Sequence, residues 1–136
     1  MKVDKIIKNA SVFTSAAVNF HASAFAVKDG KFVYVGDEEG LKDFEGEIVD
    51  LGGKFVMPGI SDSHVHMAIN TAFEYTPEIV PINGAKQLRL EKTKGSIEVG
   101  KDADYLVLKE NLLTIPAEGM KNIVPEEVYF SGVKMN

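Results

Sequence analysis

A chain of 136 residues, 45% hydrophobic and 26% charged, is about one domain long and can bury roughly two thirds of the surface its unfolded form exposes. Twenty acidic against fifteen basic residues leave a net charge of −5, which argues against a nucleic-acid partner, and no apolar run is long enough to span a membrane. The absence of cysteine excludes disulfides, thiol catalysis and cysteine-based zinc knuckles, and the opening MKVDKIIKNASVF lacks the apolar core of a signal peptide, so a cytoplasmic setting is expected.

Residues 1–60 read as strands punctuated by turns. VDKIIKNASVF offers one or two strands. AFAVKDGKFVYVG is a hairpin whose Asp29-Gly30 turn pairs Val27 with Phe32 and Phe25 with Tyr34 on one face, leaving Ala24, Ala26, Val33 and Val35 on the other. Both faces are apolar, which suits a sheet covered on both sides, as in a sandwich. DEEGLKDF has one or two helical turns, with acids at its N-terminus and Leu41 and Phe44 on one side, before EIVDLGGKFVMPG returns to strand.

From Met67 to Ile82 the chain follows no single period and carries Pro77 and Pro81, so it reads as a connection. Residues 83–94 form one short helix in this reading, with Lys86, Arg89, Lys92 and Lys94 on its wet face. Residues 95–136 return to strands: glycine turns at Gly95 and Gly100 precede the apolar run Tyr105 to Leu108, and a terminal hairpin turns at Ser131-Gly132 with Phe130 opposite Val133. Asp102 and Asp104 read as turn residues before a strand. The expected fold class is all-β with one or two short helices.

The chemistry sits in SDSHVHM, residues 61–67, where two of the chain's three histidines stand one residue apart after a Pro-Gly break. In a strand, His64 and His66 point the same way with Cα atoms roughly 6.5–7 Å apart, so two imidazoles can grip one divalent ion. The same spacing also serves a pair of partly exposed surface histidines. His21, in the N-terminal strands, reads as an ordinary boundary histidine.

FVMPGISDSHVHM resembles the signature that opens the barrel of the amidohydrolase superfamily. NGAKQLRLEKTKGSIEVGKDADYLVLKENLL resembles the segment that leaves that barrel through its last helix and returns to a β-sandwich. The resemblance covers residues 1–68 and 82–136 and is strongest to the metal-dependent hydrolases of amidohydrolase family 3. It implies a single composite β-sandwich domain over 1–136: N-terminal strands at 1–60, a remnant of the barrel entry and the seam at 61–82, a remnant of the last barrel helix at 83–94, and C-terminal strands at 95–136.

The resemblance makes His64 and His66 metal ligands, with zinc as the expected ion. It implies a parent that hydrolyses non-peptide carbon–nitrogen bonds of a small-molecule substrate. Family members add a carboxylate or carboxylated lysine, two further histidines and an aspartate that activates the metal-bound water. This chain has no histidine after His66, no lysine between His66 and Lys86, and no aspartate between Asp62 and Asp102. A βα barrel takes about 250 residues, whereas fewer than twenty separate the two motifs here. The barrel is missing, no catalytic residue is assigned, and the chain alone is expected to be inactive. Self-association into a homo-oligomer is compatible with the pattern. A different class of reading is an autonomous β-sandwich module that binds or scaffolds a partner without enzymatic role.

Overall fold

Short apolar runs bounded by turns build the central strands, and their pairings sort the strands into two sheets. In chain order the elements are β1 (Lys2–Lys8), β2 (Ser11–Phe13), β3 (His21–Ala22), β4 (Ala24–Lys28), β5 (Lys31–Gly36), a 3₁₀ segment (Glu38–Asp43), β6 (Glu45–Asp50), β7 (Phe55–Pro58), α1 (Val80–Gln87), β8 (Tyr105–Leu108), α2 (Ala117–Met120), β9 (Glu127–Phe130) and β10 (Val133–Lys134). The computed structural model describes residues 1–17, 21–60, 80–120 and 122–135. The His64 and His66 motif and most of the connection up to Ile82 lie outside the described residues.

The first sheet has four strands in the order β5-β4-β1-β6, and the second has six in the order β10-β9-β8-β7-β2-β3. Ile7, Phe25, Val27 and Phe32 of the first sheet face Val12, Val56, Tyr105, Val107 and Tyr129 of the second in one buried cluster. This is a β-sandwich, and its second sheet is made from both ends of the chain, because β7 pairs antiparallel with β8 from Phe55↔Leu108 to Pro58↔Tyr105. At its centre the rings of Phe25 and Tyr105 meet edge to face at 5.1 Å, and those of Phe25 and Phe32 at 5.4 Å.

Both sheets are also covered on their outer faces. Val3, Ile6 and Ala26 are buried beneath Leu41 and Phe44, which the 3₁₀ segment and its end supply. Asp37 caps that segment by accepting a hydrogen bond from the Gly40 amide. Phe13, Phe55, Met57 and Leu108 are buried beneath Leu112, with Leu113, Ile115 and Ile123 packed on them. Apolar residues on both faces of β4, β7 and β8 follow from this three-layer burial.

Two details depart from the sequence reading. The Asp29-Gly30 turn forms, with φ of 51° and 74° as a two-residue hairpin of the primed type requires, and Val27 pairs with Phe32. Past that pair a β-bulge adds one residue to β5, so Phe25 lies opposite Val35 rather than Tyr34, and Ala26 takes Tyr34. The bulge puts Val35 against the inner cluster and turns Tyr34 to the outer one.

The helix expected at 83–94 runs instead from Val80 to Gln87. Pro81 suits its first turn, where a missing N–H leaves nothing unpaired. Arg89 ends it in a left-handed conformation, φ 59°, and the amides of Leu90 and Arg89 donate back to the carbonyls of Ala85 and Lys86, the two bonds of a Schellman cap. Lys92 and Lys94 therefore follow the helix rather than lie on it.

Candidate functional site

The last described residues before His64 and His66 leave the second sheet at the end of β7. β2 runs parallel to β7, with Val12 opposite Val56, so Thr14 and Pro58 lie at the same end of that sheet. His21 pairs with Phe13 on the far side of β2, exposed, its ring 6.3 Å from that of Phe13. It is the one histidine among the described residues. A catalytic zinc takes three protein ligands, and among the described residues no group of three or more His, Cys, Asp or Glu side chains could hold a metal. The described residues do not complete a metal shell.

What the described residues do form is a junction at the exit of β7. The segment Gly100–Asp104 is hydrogen-bonded to four other parts of the chain. Phe32 donates its amide to Lys101 and Gly100 donates back to Phe32, at 3.0 and 2.8 Å, while Ala103 donates to Gly30 at 2.8 Å. Asp102 donates to Thr93 at 2.9 Å, Gly59 donates to Asp104 at 2.9 Å, and Gly132 donates to Ala103 at 2.9 Å. The approach at Gly59 is close: a Cβ there would lie 3.2 Å from Asp104 Cβ, so that neighbour would have to give by a few tenths of an ångström.

Side chains reinforce the junction. Lys94 Nζ donates to Asp104 Oδ2 and lies 3.1 Å from Asp102 Oδ2, while Lys31 Nζ reaches Asp102 Oδ1 at 2.8 Å. Asp104 Oδ1 accepts the amide of Ser131 at 2.8 Å, tying in the terminal hairpin, and Lys94 sits over the ring of Phe130 at 4.8 Å. The Lys94 and Asp104 side chains are only 18% and 14% exposed, so the pair is partly desolvated. Desolvation pulls the Lys94 ammonium down, but hydrogen bonds and charges from Asp104 and Asp102 outweigh it and hold the group above its ordinary value. The Lys31 hydrogen bond, joined by Lys94, holds Asp102 below the usual carboxylate range against the opposing effect of burial.

The sequence reading missed Lys94, which it placed on the wet face of a helix, and took Asp102 and Asp104 as turn residues only. A signal was present: carboxylates two residues apart project to one side of an extended segment and invite a shared cation.

The model of a family described as "Amidohydrolase family" matches residues 73–134, the return segment and the C-terminal strands. The chain is 36% identical over 107 residues to "Exoenzymes regulatory protein AepA" of Pectobacterium carotovorum subsp. carotovorum, covering 75% of this chain and 23% of that protein. It is 39% identical over 67 residues to an adenine deaminase of Lactobacillus delbrueckii subsp. bulgaricus, covering 48% of this chain and 12% of the relative. The chain belongs to the amidohydrolase superfamily.

Among solved structures, enamidase, described as a member of the same superfamily, is 34% identical with a TM-score of 0.39, over 46% of this chain and 17% of its own. An uncharacterized metal-dependent hydrolase of Pyrococcus furiosus is 32% identical with a TM-score of 0.38, over 52% and 16%. The chain spans less than a quarter of the length of the curated relatives it matches first. No helix among its described residues is long and apolar enough to cross a membrane.

Proposed function

We propose that the chain is the β-sandwich part of a metal-dependent amidohydrolase that acts on non-peptide carbon–nitrogen bonds of a small molecule, and that by itself it is not a catalyst. The observation that carries this reading is the junction at the end of β7: the chain leaves the second sheet at Gly59 and returns to it at Thr93 and Lys94, both bonded to Asp102–Asp104. A sandwich that gathers the exit and the return at one place is the frame of a larger inserted body. Curated relatives named adenine deaminase and N-acetylglucosamine-6-phosphate deacetylase support a small-molecule substrate. A cytoplasmic setting fits the cysteine-free composition.

In this reading His64 and His66 are two ligands of the parent's metal, most simply zinc, and bring imidazole nitrogens suited to it. When bound, such an ion lowers the pKa of its water towards neutrality. The chain's own contribution is to carry the two histidines from the end of β7. Two ligands without the partners that fix tautomer and ring orientation bind weakly, those partners alone being worth ~10–100-fold in affinity.

Elemental analysis of the dialysed chain tests the reading. The expected result is substoichiometric zinc, no hydrolysis of amide or lactam substrates, and a melting temperature almost unchanged in the double variant His64→Ala, His66→Ala. One tightly held zinc per chain, with hydrolysis lost on replacing His64, would overturn it and bring in ligands from a neighbouring copy.

A further inference from the structure

We propose that Asp104 and Lys94 form a clasp that holds the exit at Gly59 and the return at Thr93–Lys94 side by side, independently of what the chain carries between them. The inference goes beyond the proposed enzymatic reading and stands on described residues alone. Asp104 uses three groups in three directions. Its carbonyl accepts the Gly59 amide, its Oδ1 accepts the Ser131 amide, and its Oδ2 pairs with Lys94. One residue thus joins the end of β7, the terminal hairpin and the return segment.

Asp102 doubles the hold on the return side, with its amide on the Thr93 carbonyl and its carboxylate shared between Lys94 and Lys31. Lys31 follows the Asp29-Gly30 turn, so the clasp is anchored in the first sheet as well as the second. An exposed ion pair would contribute little to such a hold. Lys94 is partly desolvated, meets two carboxylates and covers the Phe130 ring, so its removal takes the ion-pair partner from a partly buried Asp104 and leaves Asp102 with Lys31. The covalent segment between Ile60 and Val80 then need not pin its own ends, because lengthening a loop adds only slowly to the entropy of closing it.

Amide hydrogen exchange followed residue by residue separates a clasp from general stabilisation. In Lys94→Met, the amides of Gly59, Asp102 and Ser131 should exchange about tenfold faster, while Ile7 and Phe25, paired within the first sheet, stay as in the parent. Lys94→Arg, which keeps the cation, should restore protection at all three. Asp104→Asn is the second variant, read in the same way if Lys94→Met does not fold. A Gly-Ser insertion of about 12 residues after Asn70 should leave the three amides protected, since closure depends weakly on length. Equal acceleration at the junction and at Ile7 and Phe25, no acceleration at the junction, failure of Lys94→Arg to restore it, or loss of protection on insertion would each overturn the proposal.

Discussion

The two sheets differ in where their strands come from. All four strands of the first lie between Lys2 and Asp50, so each of its pairings closes within the N-terminal part of the chain. The second takes β2, β3 and β7 from the N-terminal part and β8, β9 and β10 from the C-terminal part, stitched along the single seam of β7 on β8. Local pairing alone does not make the first sheet a stable body: Ile7, Phe25, Val27 and Phe32 are dry because Tyr105, Val107 and Tyr129 lie over them. The sheet that forms most locally depends for its stability on the strands that arrive last in sequence. Among the described residues no strand lies between β7 and β8, so lengthening the chain there breaks no described ladder in either sheet.

The comparison breaks most sharply if the halves are parted. Truncation after Pro81 removes β8 to β10 and wets one side of the inner cluster, so cooperative unfolding should vanish, a loss as large as the whole stability of a small domain, about 5–15 kcal/mol. Circular dichroism melts and amide dispersion of the truncated chain report it. A cooperative melt with dispersed resonances would mean that the first sheet stands alone.

A smaller effect sharpens the contrast between the inner face and an edge of the same sheet. Phe25 is 0% exposed and packs on Phe32 and Tyr105, whereas Ile48 on the outer strand β6 is 63% exposed. Phe25→Ala should cost about 3–5 kcal/mol in urea unfolding, transfer and cavity together. Ile48→Ala should stay within about 0.5 kcal/mol, as surface changes do. A comparable cost at Ile48 would show that something covers β6 in solution.

Much of this was legible from residues alone, for identifiable reasons. The Asp29-Gly30 and Ser131-Gly132 turns each place two successive residues at positive φ, and few residue pairs tolerate that, so both hairpins could be read from sequence. Gly132 is further confined, since a Cβ there would lie 2.8 Å from Val27 Cγ1. The bulge in β5 was not legible, because Val33, Tyr34 and Val35 can all face a core and only the contacts across two clusters choose between them. The early end of α1 was hidden for a similar reason: an arginine at the left-handed cap carries no turn signal, unlike the glycine expected six residues later. The spacing of Asp102 and Asp104 hinted at a shared cation, but that Lys94 supplies it depends on where α1 ends, which the sequence reading misplaced.

The smallest expected effect is invisible at neutral pH and separates the inner cluster from the surface at high pH. Burial raises the Tyr105 hydroxyl far above its ordinary value, with the neighbouring Tyr129 and Glu127 adding to it. Tyr129, whose ring stacks on that of Tyr105 at 4.3 Å, is raised by burial and by its hydrogen bond to Glu127. The folded chain therefore keeps both phenols protonated where the unfolded chain releases their protons. For a group whose folded pKa lies above its unfolded one, the contribution to stability is complete below the unfolded value, about 10 for tyrosine. It is lost as pH rises from there towards the folded value. Lys94, also raised, loses its contribution over the alkaline range starting near its own unfolded value, about 10.4. Stability should thus hold up to about pH 10 and fall above it. Tyrosinate absorbance should rise in two stages, the second coinciding with unfolding as Tyr105 and Tyr129 become wet. Tyr105→Phe removes one of the phenols and should shift the alkaline unfolding midpoint upward relative to the parent, measured against each protein's own stability at neutral pH. An unchanged midpoint, or full tyrosinate absorbance before any loss of fold, would mean that water already reaches the inner face through the β7–β8 seam.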